Sequence, residues 1–235
     1  MSIRAVFFDL GGTLFSYRAT RPHFDRVLEA LAREHGIDEP FERVRAKYRA
    51  AMAAAGAEYN ARPYYLHRDM FRAAYLGMLR AYGLGARDSE ALYEGQSDVG
   101  ARFIALRPGV RETLGTLRER GLHLGIVSNI DDDQFRAIWA ELGIGDYFHA
   151  TTTSEEARSC KPHPGIYQVA LSKAPGVAPH EVLFVGDSPQ HDFAGAKPLG
   201  MRTAWIMERH AELPEALRPD HVITEIPELL GVIAA

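Results

Sequence analysis

Four short stretches of this 235-residue chain carry residue types suited to phosphate chemistry. Residues 7–15 read FFDLGGTLF, with Asp9 directly after an apolar run and Gly11, Gly12 and Thr13 behind it. Ser128 and Asn129 close the run LHLGIVSN, Lys161 lies in CKPHPGIY, and GDSPQHD carries Asp187 and Asp192. The stretch Asp-Leu-Gly-Gly-Thr fits two chemistries. Asp9 is either a nucleophile at the end of a buried strand, attacking phosphorus, or the neighbour of a glycine turn whose amides hold nucleotide phosphates. Singly, each stretch is weak: an Asp after a strand commonly caps a turn, and Ser-Asn is a common helix N-cap.

The elements that would position these residues are legible from periodicity. Apolar, partly β-branched runs at Ile3–Phe8, Leu122–Val127, Val182–Val185 and Thr203–Ile206 read as buried parallel strands, with weaker candidates at Tyr147–Thr152 and His221–Ile223. Amphipathic helical stretches lie at Val110–Arg120, Gln134–Leu142, Ile166–Lys173 and Phe193–Leu199. Strand-helix alternation from about residue 104 onward predicts a doubly wound α/β sheet, in which all four stretches would meet at one edge. From Thr20 to Phe103 no convincing strand occurs. Breakers at 36–38, 61–63 and 83–85 mark off four helices near 22–35, 39–55, 64–82 and 88–103. The expected organisation is an α/β core of residues 1–15 and 104–235, with residues 16–103 as a smaller helical domain near the carboxyl edge of the sheet.

Taken together and in this order, the four stretches resemble the haloacid dehalogenase superfamily: a nucleophilic Asp, then Ser or Thr, then Lys, then a Gly-Asp acidic loop. GDSPQHDFAGAKPLGM is the most specific portion. The helical segment matches in position and character a cap inserted after the first motif. The resemblance implies a Rossmann-like core of strand order 5-4-1-2-3 and an all-helical, mobile cap whose closure excludes water. It implies Mg²⁺ held by Asp9, Asp187 and the backbone carbonyl of Gly11, since a hard cation takes oxygen ligands. Asp9, Ser128 and Lys161 are then the catalytic residues. Thr13, Ser128, Asn129 and Lys161 bind substrate, and Asp192 orients Lys161 or a metal-bound water. The implied activity is hydrolysis of a small phosphorylated metabolite through an aspartyl-phosphate at Asp9.

DLGGT also resembles the phosphate loop of actin-like sugar kinases. That fold would continue from the glycines into a hairpin strand, whereas this chain continues as SYRATRPHF into helices. It would also leave Lys161 and the acidic loop unexplained.

Gly11 departs from the superfamily's phosphatase pattern, which places a second Asp two residues after the nucleophile as general acid and base. Three other readings follow from that departure. The 2-haloacid dehalogenases keep the nucleophile without a metal, but their acidic loop lacks the Gly-Asp pair that Gly186-Asp187 supplies here. Phosphonate-cleaving members use a cap lysine as a Schiff base, and Lys47 in RVRAKYRA is the one lysine of the insert. A phosphate- or partner-binding descendant with weak turnover is the third. Other residues carry less: His191 as a substitute acid, Cys160 beside Lys161, Arg18, Arg21 and His23 at the cap entry, and Tyr59, Tyr64, Tyr65 and Tyr75 as packing residues.

Composition narrows the class further. A net charge of −4, from 27 basic and 31 acidic residues with no basic block, argues against nucleic acid and membrane surfaces. No run approaches the length of a bilayer span, and the N-terminal sequence leads directly into a strand. One cysteine forms no internal disulfide. A cytoplasmic monomer or homodimer is expected.

Overall fold

The computed structural model describes residues 2–207 and 213–234. Among them, six strands form one wholly parallel sheet of order β3-β2-β1-β4-β5-β6. The strands are β1 (Ala5–Phe8), β2 (His123–Ser128), β3 (Ala150–Thr153), β4 (Val182–Gly186), β5 (Arg202–Ile206) and β6 (His221–Ile223). The expected order is present, extended by β6 on the outer side of β5. β6 is only three residues long and its central Val222 is exposed, so it carries little of the apolar signal that marks an interior strand.

The central strand β1 is buried at every position, as a strand covered on both faces must be. Its neighbours keep strict register: Phe8 stands opposite Ile126 of β2 and Val185 of β4. The Asp9 amide extends that ladder, donating to the Val185 carbonyl at 2.9 Å. Asp9 is therefore the first residue past the end of the middle strand.

Helices follow the strands as the periodicity requires: α5 (Val110–Glu119), α6 (Asp132–Leu142), α7 (Ser154–Ala157), α8 (Pro164–Ser172), α9 (Asp192–Ala196) and α10 (Leu229–Ala234). α8 opens on Pro164, whose fixed φ and missing N–H suit a first helical turn. It packs Ile166, Tyr167 and Ala170 on a sheet face made by Phe7, Val127 and Phe184. Full burial of each such large side chain contributes about 1.5–3 kcal/mol. α9 is shorter than its sequence pattern, because the chain tightens into a 3₁₀ turn at Lys197–Leu199 around Pro198.

The chain divides into two compact units, residues 1–16 with 105–235, and residues 17–104. The second contains α1 (Arg21–Glu34), α2 (Phe41–Tyr59), α3 (His67–Leu79) and α4 (Ala86–Arg102), with a 3₁₀ turn at Arg80–Tyr82 closing α3. Leu28, Leu31, Tyr75, Met78, Leu79, Leu92 and Tyr93 form its core. Among the described residues, no helix is long and apolar enough to cross a membrane.

Candidate active site

Asp9 is buried at the tip of β1, and two residues distant in sequence or in type hold its carboxylate. Thr13 Oγ1 donates to Asp9 Oδ2 at 3.3 Å, and Lys161 Nζ donates to Asp9 Oδ1 at 2.7 Å. The same ammonium donates to Asp192 Oδ1 at 2.7 Å. Both partners of Lys161 are nearly shut off from solvent, as is Lys161 itself. Burial works against the lysine's charge, but the carboxylates of Asp192 and Asp9 outweigh it and hold the pKa above its ordinary value.

The acidic loop after β4 brings in the other two carboxylates. Asp192 is fixed from three directions. Its Oδ2 accepts from the Ser188 amide at 3.0 Å, its own amide donates to the Ser188 carbonyl at 2.7 Å, and its carbonyl accepts from Tyr167 Oη at 2.9 Å. Tyr167 also donates to the His191 carbonyl at 2.7 Å, so one buried hydroxyl ties α8 to the start of α9. Gly186 is required here, because a Cβ at that position would lie 2.1 Å from Asp192 Oδ2. The Trp205 indole donates to the Asp187 carbonyl at 3.1 Å and anchors the loop to β5.

Carboxylate oxygens of Asp9, Asp187 and Asp192 all lie within 4.8 Å of one another. Burial, reinforced by the charge of Asp9, raises the Asp187 pKa to about 7. Burial likewise raises Asp192 to about 6, although Lys161 pulls against the rise. Three carboxylates facing one ammonium leave two negative charges uncompensated when all are ionised. A hard divalent cation has the matching charge and takes only oxygen ligands, so the donor set fits Mg²⁺.

Ser128 is buried at the end of β2, in register with Thr153 of β3. The amide of Asn129 pairs with the backbone of Lys161. Thr13 is fully buried beneath Asp9, and Gly11 is half-buried and bridges to Phe15. The eight residues expected from the sequence thus sit at or beside the carboxyl ends of β1, β2 and β4 and in the loop before α8.

Two contributors have no signature in the sequence pattern. Tyr167 ties down the acidic loop, and Arg107 Nη2 donates to the Gly12 carbonyl at 2.5 Å. Each joins residues far apart in the chain, which no local spacing shows. His191 Nδ1 lies 3.1 Å from Ser188 Oγ, and burial, with Lys161 next, lowers its pKa. Cys160 is a buried filler. In the helical unit, Lys47 donates to both oxygens of Glu39 at 2.8 and 3.1 Å and lies 4.2 Å over the Tyr82 ring.

Comparison with known proteins agrees with this geometry. Residues 3–200 match the haloacid dehalogenase-like hydrolase family. The glyceraldehyde 3-phosphate phosphatase of Pyrococcus furiosus is 37% identical over 137 residues, covering 56% of this chain and 57% of that protein. The chain spans about half the length of several curated relatives that it matches. The phosphoserine phosphatase of Thermus thermophilus is 30% identical over 97% of this chain and 98% of its own. The magnesium-bound crystal structure of the hydrolase YfnB from Bacillus subtilis shares the fold, with a TM-score of 0.82 over 100% of both chains at 18% identity. Fold, motif order and these matches together make the chain a member of the haloacid dehalogenase-like hydrolases.

Proposed function

We propose that this protein is a Mg²⁺-dependent phosphatase for small phosphorylated metabolites, acting through an aspartyl-phosphate at Asp9. The observation that carries the reading is the single ammonium of Lys161, 2.7 Å from both Asp9 and Asp192, beside the third carboxylate of Asp187. The phosphatase names of two relatives support a small phosphorylated substrate.

Phosphoryl transfer asks a protein mainly for positioning and charge neutralisation. An Asp9 carboxylate oxygen attacks phosphorus in line, and the ester oxygen leaves with the electron pair of its bond to phosphorus. Water then attacks the phosphorus of the aspartyl-phosphate, freeing phosphate and regenerating the carboxylate. Lys161 neutralises phosphoryl charge close to the nucleophile, Ser128 donates a hydrogen bond to a phosphoryl oxygen, and Thr13 steadies Asp9. Mg²⁺ held by Asp9, Asp187 and the Gly11 carbonyl would supply the remaining positive charge that lets a carboxylate approach a dianion.

Position 11 offers no proton. General acid-base catalysis contributes about 10²–10⁴-fold, roughly 2.7–5.5 kcal/mol of barrier. The enzyme is therefore expected to favour leaving groups that depart unprotonated, such as acyl phosphates and activated esters. The phosphonate-cleaving alternative is disfavoured. Lys47 is hydrogen-bonded to Glu39, which raises its pKa, whereas a Schiff-base lysine needs a lowered one.

Acid quenching during turnover of p-nitrophenyl phosphate, followed by mass spectrometry, tests the intermediate. A phosphoryl group on the peptide containing Asp9 is expected. Turnover accompanied by a phosphoryl group on some other residue would overturn the reading.

A further inference from the structure

Asn129 lies one residue beyond β2, and its side-chain amide is committed to a single residue 32 positions away. Its Oδ1 accepts from the Lys161 backbone N–H at 2.7 Å, and its Nδ2 donates to the Lys161 carbonyl at 3.0 Å. These two bonds replace, for one residue of an irregular loop, the pairing that a neighbouring strand would give. They use the amide's acceptor and one of its two N–H groups in opposite senses, so the side chain has one orientation that satisfies both.

The backbone that carries Asn129 is itself held. Ser154 Oγ accepts from the Ile130 amide at 3.1 Å and donates to the Ile130 carbonyl at 3.2 Å, a second two-way grip on the next residue. Glu155 Oε2 accepts from the Asp132 amide at 2.8 Å, and Thr153 Oγ1 donates to Asp132 Oδ1 at 2.5 Å. Residues 130–132 are thus pinned to the exit of β3, and Asn129 reaches out from a rigid base. A reactive side chain is held well only when its support is held too.

The reach of Lys161 makes that grip matter. Its ammonium stands at the end of a four-carbon stem, with both carboxylate contacts at 2.7 Å. Asp192 and Asp9 fix the tip, and Asn129 fixes the root. Misplacing a reacting group by about 1 Å can lower a rate by about 10²-fold.

We propose that Asn129 is a positioning residue that fixes the backbone of Lys161, and so aims its ammonium at Asp9, without itself contacting substrate. The kinetic consequence rests on the phosphatase reading; the backbone grip does not. The test is a mutant cycle on p-nitrophenyl phosphate with Asn129→Ala, Lys161→Met and the double variant, joined to amide hydrogen exchange at Lys161. Asn129→Ala should lower kcat about 10–100-fold with little change in KM. In the Lys161→Met background the same change should have almost no further effect, because both act through one group. The Lys161 amide should lose protection in Asn129→Ala. Asn129→Asp keeps the acceptor for the Lys161 N–H but sets an oxygen against the Lys161 carbonyl where Nδ2 donated. It should therefore keep more protection than alanine and still lower kcat. It carries the test if the alanine variant does not fold, and an unchanged kcat in it would overturn the proposal. An undiminished rate loss in the Lys161→Met background, or a rise in KM alone, would overturn the proposal. So would unchanged Lys161 protection in Asn129→Ala. If the wild-type protein hydrolyses no phosphate ester, the phosphatase reading fails, and the exchange measurement still decides the role of Asn129.

Discussion

A Cβ atom placed on Gly12 would lie 2.2 Å from Oδ2 of Asp187, in a backbone held at φ 86°. The backbone of the first motif therefore lies against the Asp187 carboxylate with no room for a side chain at position 12. Gly12→Ala must displace the Asp187 carboxylate and strain the backbone, the latter by about 1–2 kcal/mol. Lower thermal stability and at least a ten-fold higher Mg²⁺ requirement for turnover are expected. A variant with unchanged Mg²⁺ dependence would show that Asp187 is not a metal ligand.

The raised acids give a pH dependence of definite sign. Asp187 and Asp192 keep protons in the folded state, at about 7 and about 6, that the unfolded chain has already lost. Their contribution to stability is present below the ordinary carboxylate range and is lost as pH rises through these values. In chelator, the melting temperature of the wild type should fall relative to Asp187→Asn between about pH 4 and about pH 7. Mg²⁺, which binds the ionised acids, should restore it at the upper end. Parallel melting curves for the two proteins in chelator would contradict the assigned environment of Asp187.

Asp9→Asn should abolish turnover and leave the fold intact. Lys161 loses one carboxylate but retains Asp192 at 2.7 Å, so no buried cation is left alone. Circular dichroism and thermal melting beside the kinetics separate the two effects. A variant that kept a tenth of the wild-type rate would remove Asp9 from the role of nucleophile.

Gly11→Asp should return the missing acid. Alkyl phosphate hydrolysis should rise by up to about two orders of magnitude, and aryl phosphate hydrolysis, whose leaving group needs no proton, should change less. A well-folded variant with no gain on alkyl phosphates would mean that another group supplies the proton.

Much of this was legible from residue type and position. Asp9, Ser128 and Asp187 each end an apolar run, and parallel strands bring their ends to one edge whatever the details of packing. Element limits were blurred for local reasons. The polar opening Asp132-Asp133 hid the first turn of α6. Tyr147, expected at the start of β3, belongs to a 3₁₀ turn before it, while the weak strand candidate His221–Ile223 matches β6. Contacts between distant polar atoms were not legible. That the Asn129 amide meets the Lys161 backbone, or that Gly12 touches Asp187, depends on loop paths no pattern of spacing encodes. Thr13 and Asn129 were expected on the substrate side. Their bonds to Asp9 and Lys161 support the holding roles proposed for them above.

The most direct test of the account is release of p-nitrophenol from p-nitrophenyl phosphate with Mg²⁺ and with chelator, run beside chloride release from 2-chloropropionate. The phenolate leaves without a proton, so the assay reports on Asp9 and the metal and bypasses Gly11. Turnover in Mg²⁺, its loss in chelator and its return on adding Mg²⁺, with no chloride release, is the predicted result. Chloride release that persists in chelator, without phosphate ester hydrolysis, would contradict it and assign the protein to the dehalogenases.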